Sequence, residues 1–153
     1  MTYHRDKAIL WFVESAPFRQ GTLTNLFWRD LKPTAELLKQ IREGSKGQIK
    51  RTIEEDLQLA KDVPYYILIE AERLKGAGRG KYKGVKQIGF LHYHAVEKLE
   101  LYKEELKKRG LPITPDTPIF VALESNPFNK KGYRLYSSYN NFLECFFDGL
   151  ERN

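Results

Sequence analysis

His92 and His94 are two of the three histidines in this chain, and they stand one residue apart in the run Gly89-Phe90-Leu91-His92-Tyr93-His94-Ala95-Val96. Such an apolar run reads as a strand, and strand side chains alternate faces. Both imidazoles would then point the same way and could share one divalent cation. The ordinary alternative is two unrelated histidines, since spacing alone is a weak signal.

The neighbouring residues strengthen the metal reading. Ile88, Phe90, His92 and His94 share one face of the expected strand, and Gly89, Leu91, Tyr93 and Ala95 share the other. The preceding apolar run, Tyr65 to Glu72, divides the same way, with Ile67, Ile69 and Ala71 facing inward and Glu70 and Glu72 opposite. Between the two runs, Lys75 to Gly84 is rich in glycine and lysine and reads as a flexible hairpin loop. Antiparallel pairing would make the polar faces coincide. A carboxylate and two imidazoles would then converge as ligands for Mg²⁺, Mn²⁺ or Zn²⁺. Glu70 and Glu72 read equally simply as solvated residues on an open sheet face.

The charge balance points to acidic partners. Twenty-six Lys and Arg against 20 Asp and Glu leave a formal net charge of +6, and nucleic acid is the commonest polyanion for such a chain. Lys75, Arg79, Lys81, Lys83 and Lys86 cluster in and beside the glycine-rich loop, with no acid between Lys75 and Lys86. Arg79, Lys81 and Lys83 could track a phosphate backbone, or form a solvated loop tip. Lys130 and Lys131 lie in a second basic, turn-rich stretch, Ser125 to Gly132.

The remaining bounds are simple. A chain of 153 residues is expected to form one domain, residues 1–153. No apolar run approaches the roughly 20 residues of a membrane span, and the N-terminal residues do not read as a signal peptide. One cysteine, Cys145, permits no internal disulfide. It argues for a reducing, cytoplasmic setting (a host cell's, for a plasmid- or virus-encoded chain). Among Phe142, Leu143, Phe146 and Phe147, it reads as a small hydrophobe rather than a nucleophile.

The elements that must position these residues follow from periodicity. Lys7 to Val13 reads as a first strand. Gly21 to Trp28 fits either a short strand or a loop entering a helix. A helix starts at Lys32-Pro33-Thr34 and stops at Gly44. Another runs from about Gly47 to Lys61, with Ile49, Ile53, Leu57 and Ala60 on one stripe. After the two strands already described, Glu97 to Arg109 reads as a surface helix closed by Gly110. Leu111 to Asp116 is a loop, and Thr117 to Leu123 is a fourth strand with a proline that suggests an edge. A last helix spans about Tyr133 to Leu150. The order predicts an α+β fold with a ferredoxin-like or RNA-recognition-motif-like antiparallel sheet, helices mainly on one face, and a C-terminal helix. In that topology the His-rich strand is central.

Gly-Phe-Leu-His92-Tyr93-His94-Ala-Val resembles the signature of the HUH endonuclease superfamily, which comprises rolling-circle replication initiators, relaxases and related transposases. The resemblance extends to a preceding strand that ends in a carboxylate and a tyrosine-rich final helix. It implies that His92 and His94 hold Mg²⁺ or Mn²⁺, with Glu72 or Glu70 as a third ligand. It also implies that a helix tyrosine attacks a phosphate of single-stranded DNA, nicking it for replication initiation or DNA mobilisation. Tyr139 follows two small residues, as in the family pattern, and Tyr136 lies at the edge of the apolar stripe. Both remain candidates, with Tyr133 on the same helix and Tyr102 as an outsider on the earlier one. The stretch between Glu72 and His92 is longer than is usual in replication initiators, and no lysine follows Tyr136 or Tyr139 three or four residues on.

Two further classes compete. A restriction-like metal nuclease would use Asp62, Glu70, Glu72 and Lys75, whose spacing departs from the usual Glu-x-Lys. A non-enzymatic nucleic-acid-binding module would stack bases on Tyr66, Phe90 and one of Trp11 or Phe12. The same aromatics would alternatively pack in a homodimer, or serve an interaction protein with no nucleic-acid role.

Overall fold

Residues 8 to 13 satisfy two periods at once, and the helical one prevails. In the computed structural model, which describes residues 3–16, 20–23, 25–69, 86–121, 128–129 and 132–133, the expected first strand is helix α1, Tyr3–Ser15. Arg5, Ala8, Ile9, Phe12 and Ala16 are all buried, at the i, i+3, i+4, i+7 spacing of one helical stripe. A strand would have split Ile9 from Phe12 and required cover on both faces. A short turn, α2 (Gln20–Leu23), follows.

The segment left ambiguous by its sequence is not a helix entry. Trp28–Asp30 makes one 3₁₀ turn, and the Asp30 carboxylate accepts the Phe27 N–H at 2.8 Å. Backbone bonds from Trp28 to Thr117 (3.1 Å) and from Ile119 to Leu26 (2.8 Å) clamp this segment against residues 117–119. The expected fourth strand at Thr117 is therefore, within the described residues, an isolated bridge between Phe27 and Pro118. Proline has no N–H to extend a ladder.

Leu31–Pro33 forms a short strand, β1, that was not expected. Helix α3 then runs from Thr34 to Gly44, as expected. Left-handed backbone at Lys46 and Gly47 breaks the chain, so α4 begins at Ile53 rather than near Gly47 and ends at Asp62. Thr52 Oγ1 accepts the Glu55 N–H at 3.1 Å, and the Glu55 carboxylate accepts the Thr52 N–H at 3.0 Å, the reciprocal cap that starts a helix. The expected apolar stripe of α4 is not covered: Ile53 and Leu57 are 64% and 58% exposed.

Strands β2 (Tyr65–Ile69) and β3 (Gln87–Leu91) pair antiparallel, as expected. The sheet order is β1-β2-β3, so β2 is central and β3 is outermost among the described residues. Ile67, Ile69 and Leu91 form the covered face, joined by Ala8, Ile9 and Phe12 of α1. Helix α5, Tyr93–Lys108, is the amphipathic surface helix expected, begun four residues earlier and with Leu101 exposed. It buries Ala95, Leu99, Tyr102 and Leu106 and packs on α1. Gly110 closes it at φ 73°, with bonds from Gly110 to Lys107 (2.9 Å) and from Leu111 to Leu106 (3.1 Å), the two bonds of a left-handed helix stop. A two-residue pair, β4 (Phe128–Asn129) with β5 (Gly132–Tyr133), stands where a basic loop and the start of the last helix were expected.

The architecture is thus α+β, with an antiparallel three-stranded sheet and four helices of ten residues or more among the described residues. A β-α-β-β-α-β order would need strands where α1 and the Phe27–Pro118 bridge stand. No helix among the described residues is long and apolar enough to cross a membrane.

Candidate functional site

The His-Tyr-His motif is at a strand-to-helix corner, not on a strand. β3 ends at Leu91, His92 is the N-cap of α5, and Tyr93 is its first helical residue. The signal for this was present: Ala95, Leu99, Tyr102 and Leu106 recur at helical spacing, which starts the helix before Glu97. One side chain secures the corner. The Ser15 hydroxyl, at the end of α1, donates to the Phe90 carbonyl at 2.9 Å and accepts the His92 N–H at 2.8 Å. The first helical bond of α5 runs from the Val96 N–H to the His92 carbonyl at 3.1 Å.

Three rings crowd this corner. Ring centroids lie 4.4 Å apart for His92 and Tyr93, 4.0 Å for Tyr93 and His94, and 5.4 Å for His92 and His94. Trp11 of α1 lies 5.6 Å from His94, and its indole N–H is buried without a partner among the described residues. All three corner residues are exposed. His94 Nδ1 stands 3.9 Å from a Glu97 carboxylate oxygen. The first turn of α5 holds no acid and the His92 side chain makes no cap bond, so the positive end of the helix dipole faces outward.

This geometry bears on the expected metal set. The His92 and His94 rings stack with planes 30° apart. Imidazole lone pairs lie in the ring plane, and two planes inclined at 30° can still share a point, so the ring angle does not decide ligation. Among the described residues, no group of three His, Cys, Asp or Glu side chains is placed to hold an ion. Glu70 and Glu72 lie outside the described residues.

The other candidates divide similarly. Tyr136, Tyr139, Arg79, Lys81, Lys83, Lys130 and Lys131 lie outside the described residues. Tyr102 is fully buried. Its hydroxyl donates to the Ile119 carbonyl at 2.7 Å and accepts the Val121 N–H at 3.3 Å, a core role rather than a nucleophile's. Phe12 and Tyr66 are buried and cannot offer a stacking face, whereas Phe90 and Ile88 are 52% and 53% exposed. Across the sheet, Lys32 pairs with Tyr66 and Tyr66 with Phe90, which sets an exposed ammonium and an exposed phenyl in one row. Sequence reasoning missed Ser15 and Tyr93. A serine closing an apolar helix was the available sign of the first.

Comparison with protein families, with curated proteins and with solved structures finds no match for this chain.

Proposed function

We propose that this chain is a nucleic-acid-binding module that holds a single strand on the open side of β3 and the His92–Tyr93–His94 corner. The observation that carries the reading is the exposure of Phe90 and Ile88 beside a cluster of exposed rings. Bases stack on aromatic faces with little sequence preference. Lys32 and Lys86, both exposed, supply cations for the backbone, and the uncapped N-terminus of α5 favours phosphate. The net charge of +6 adds long-range attraction. Of the expected RNA-recognition-motif-like arrangement, the reading keeps only the use of an open sheet face.

The test is fluorescence anisotropy with labelled oligothymidine and oligouridine across a salt series. Phe90→Ala and Tyr93→Ala are each expected to weaken binding about five- to hundred-fold, the worth of one stacked base. No binding at low salt, or binding indifferent to both substitutions, overturns the proposal. A denaturing gel after incubation with Mn²⁺ separates the enzymatic alternative. A covalent DNA adduct that is lost in His92→Ala, and in Tyr139→Phe or Tyr136→Phe, would replace this reading with HUH-type nicking.

A further inference from the structure

On the covered side of the sheet, a cavity of about 190 Å³ opens between the 3₁₀ turn, the strands and α5. Trp28, Leu31, Tyr65, Val96 and Leu99 wall it, and Glu100 and Lys103 complete it. Its size suits one ring system, since a dry cavity of about 150 Å³ holds benzene. Its chemistry asks for more than a hydrocarbon. The Trp28 indole N–H is buried and closed to the cavity, so the polar chemistry at the cavity is that of Glu100 and Lys103. The Lys103 ammonium lies 5.1 Å from the Trp28 ring centroid. Glu100 is exposed and supplies a carboxylate acceptor beside that ammonium donor.

We infer that this cavity receives one unstacked nucleobase. A base has the flat apolar faces the walls require, amino or imino groups for the Glu100 carboxylate, and carbonyl or ring-nitrogen acceptors for the Lys103 ammonium. The cavity is also placed to be fed from the corner. Tyr93, Val96, Glu100 and Lys103 fall at i, i+3, i+7 and i+10 of α5, one stripe of the helix. Tyr93 stands about 10 Å along the axis from Glu100. A strand stacked on Tyr93 therefore runs along the stripe that borders the cavity. For the source of the base, this inference rests on the single-strand reading above. A free nucleoside offers the same chemistry.

Trp11→Phe leaves Trp28 as the sole tryptophan of a chain that has two. In that background, adenosine, guanosine, cytidine and uridine are titrated while Trp28 emission is read. At least one is expected to change the emission saturably, and Val96→Phe, which fills the cavity, to weaken that nucleoside at least about tenfold. Glu100→Gln needs no repacking and covers the case in which Val96→Phe fails to fold. It is expected to shift preference between amino-bearing and carbonyl-bearing bases by about threefold or more. Nucleoside binding without oligonucleotide binding would support the cavity and refute the strand on β3. Oligonucleotide binding would leave the β3 reading intact and overturn the cavity if no nucleoside perturbs Trp28. Nucleoside binding indifferent to both cavity substitutions would also overturn it.

Discussion

Tyr102→Phe isolates one hydroxyl in the deepest part of the molecule. The ring is fully buried, and so are Ile119 and Val121. The substitution keeps the ring and its packing against Trp28 and Phe120 and removes only the oxygen. The Ile119 carbonyl then loses a donor at 2.7 Å, and the Val121 N–H loses an acceptor at 3.3 Å. A buried polar group deprived of its partner costs about 1–3 kcal/mol, and the longer bond contributes less than the shorter one. The expected loss is about 2 kcal/mol. With a urea m value of about 2 kcal/mol/M, the midpoint of unfolding followed by far-UV circular dichroism should fall by about 1 M. The slope should stay the same, because the surface exposed on unfolding is unchanged. A midpoint shift below about 0.2 M, or roughly 0.4 kcal/mol, would refute the view that Tyr102 anchors residues 119–121.

Other substitutions test other links. Asp6→Ala removes the carboxylate bound by Arg5 at 2.9 Å in a buried pair, and should cost about 3–5 kcal/mol by urea unfolding, most of it recovered in the apolar double variant Arg5→Met/Asp6→Leu. Ser15→Ala strips two backbone groups at the corner of their shared hydroxyl. It should cost about 1 kcal/mol and raise amide exchange at His92, and unchanged exchange there would refute the clasp. Bonds from Arg51 and Arg42 hold the Asp56 carboxyl below its ordinary value of 3.8. A group depressed by folding stabilises the fold above its unfolded value, and that contribution is lost as pH falls through the folded one. The stability gap between the parent and Asp56→Asn should therefore be steady above about pH 5 and shrink on further acidification; a gap independent of pH across the acid range would contradict the assignment.

What could be read from the sequence differs element by element. β2, α3 and the first part of β3 were legible because their period and turn residues agree, but β3 ends at Leu91 and not beyond His94. α1 was not, because Ala8 to Val13 is apolar throughout. Only the longer pattern from Arg5 to Ala16 selects the helix, and that pattern contains an arginine whose burial depends on Asp6 and the Val121 carbonyl. The bond to Val121, 116 positions away, leaves no local signature. The carboxylate–imidazole expectation used face alone, and its carboxylates, Glu70 and Glu72, lie outside the described residues; face is only half of register. An antiparallel pair also places residues at equal distances from the turn. The observed pairing is symmetric about position 78, with Tyr65 opposite Leu91. That centre falls within the glycine-rich loop, so the loop's position in the chain was itself a guide to the register. It sets His92 level with Pro64 and not with the far end of β2.

The corner shows how an element decides what a side chain can do. On a continued strand, His92 and His94 would project side by side from one face. At a strand-to-helix junction the same residues stack as rings, with Tyr93 between them in sequence. Ser15 links this change to the question of partners. Its hydroxyl occupies the Phe90 carbonyl and the His92 N–H, so these groups point away from β2, on the outer edge of β3. A strand added there, from a second copy or from a peptide, would have to displace that hydroxyl and pass α1. Natural proteins commonly cover or block such edges. The face of β3 has no such guard among the described residues: Ile88 and Phe90 remain open while the edge beside them is engaged. A ligand that uses ring faces and phosphate charge rather than backbone pairing fits that arrangement, and a homodimer built by sheet extension through this end of β3 does not.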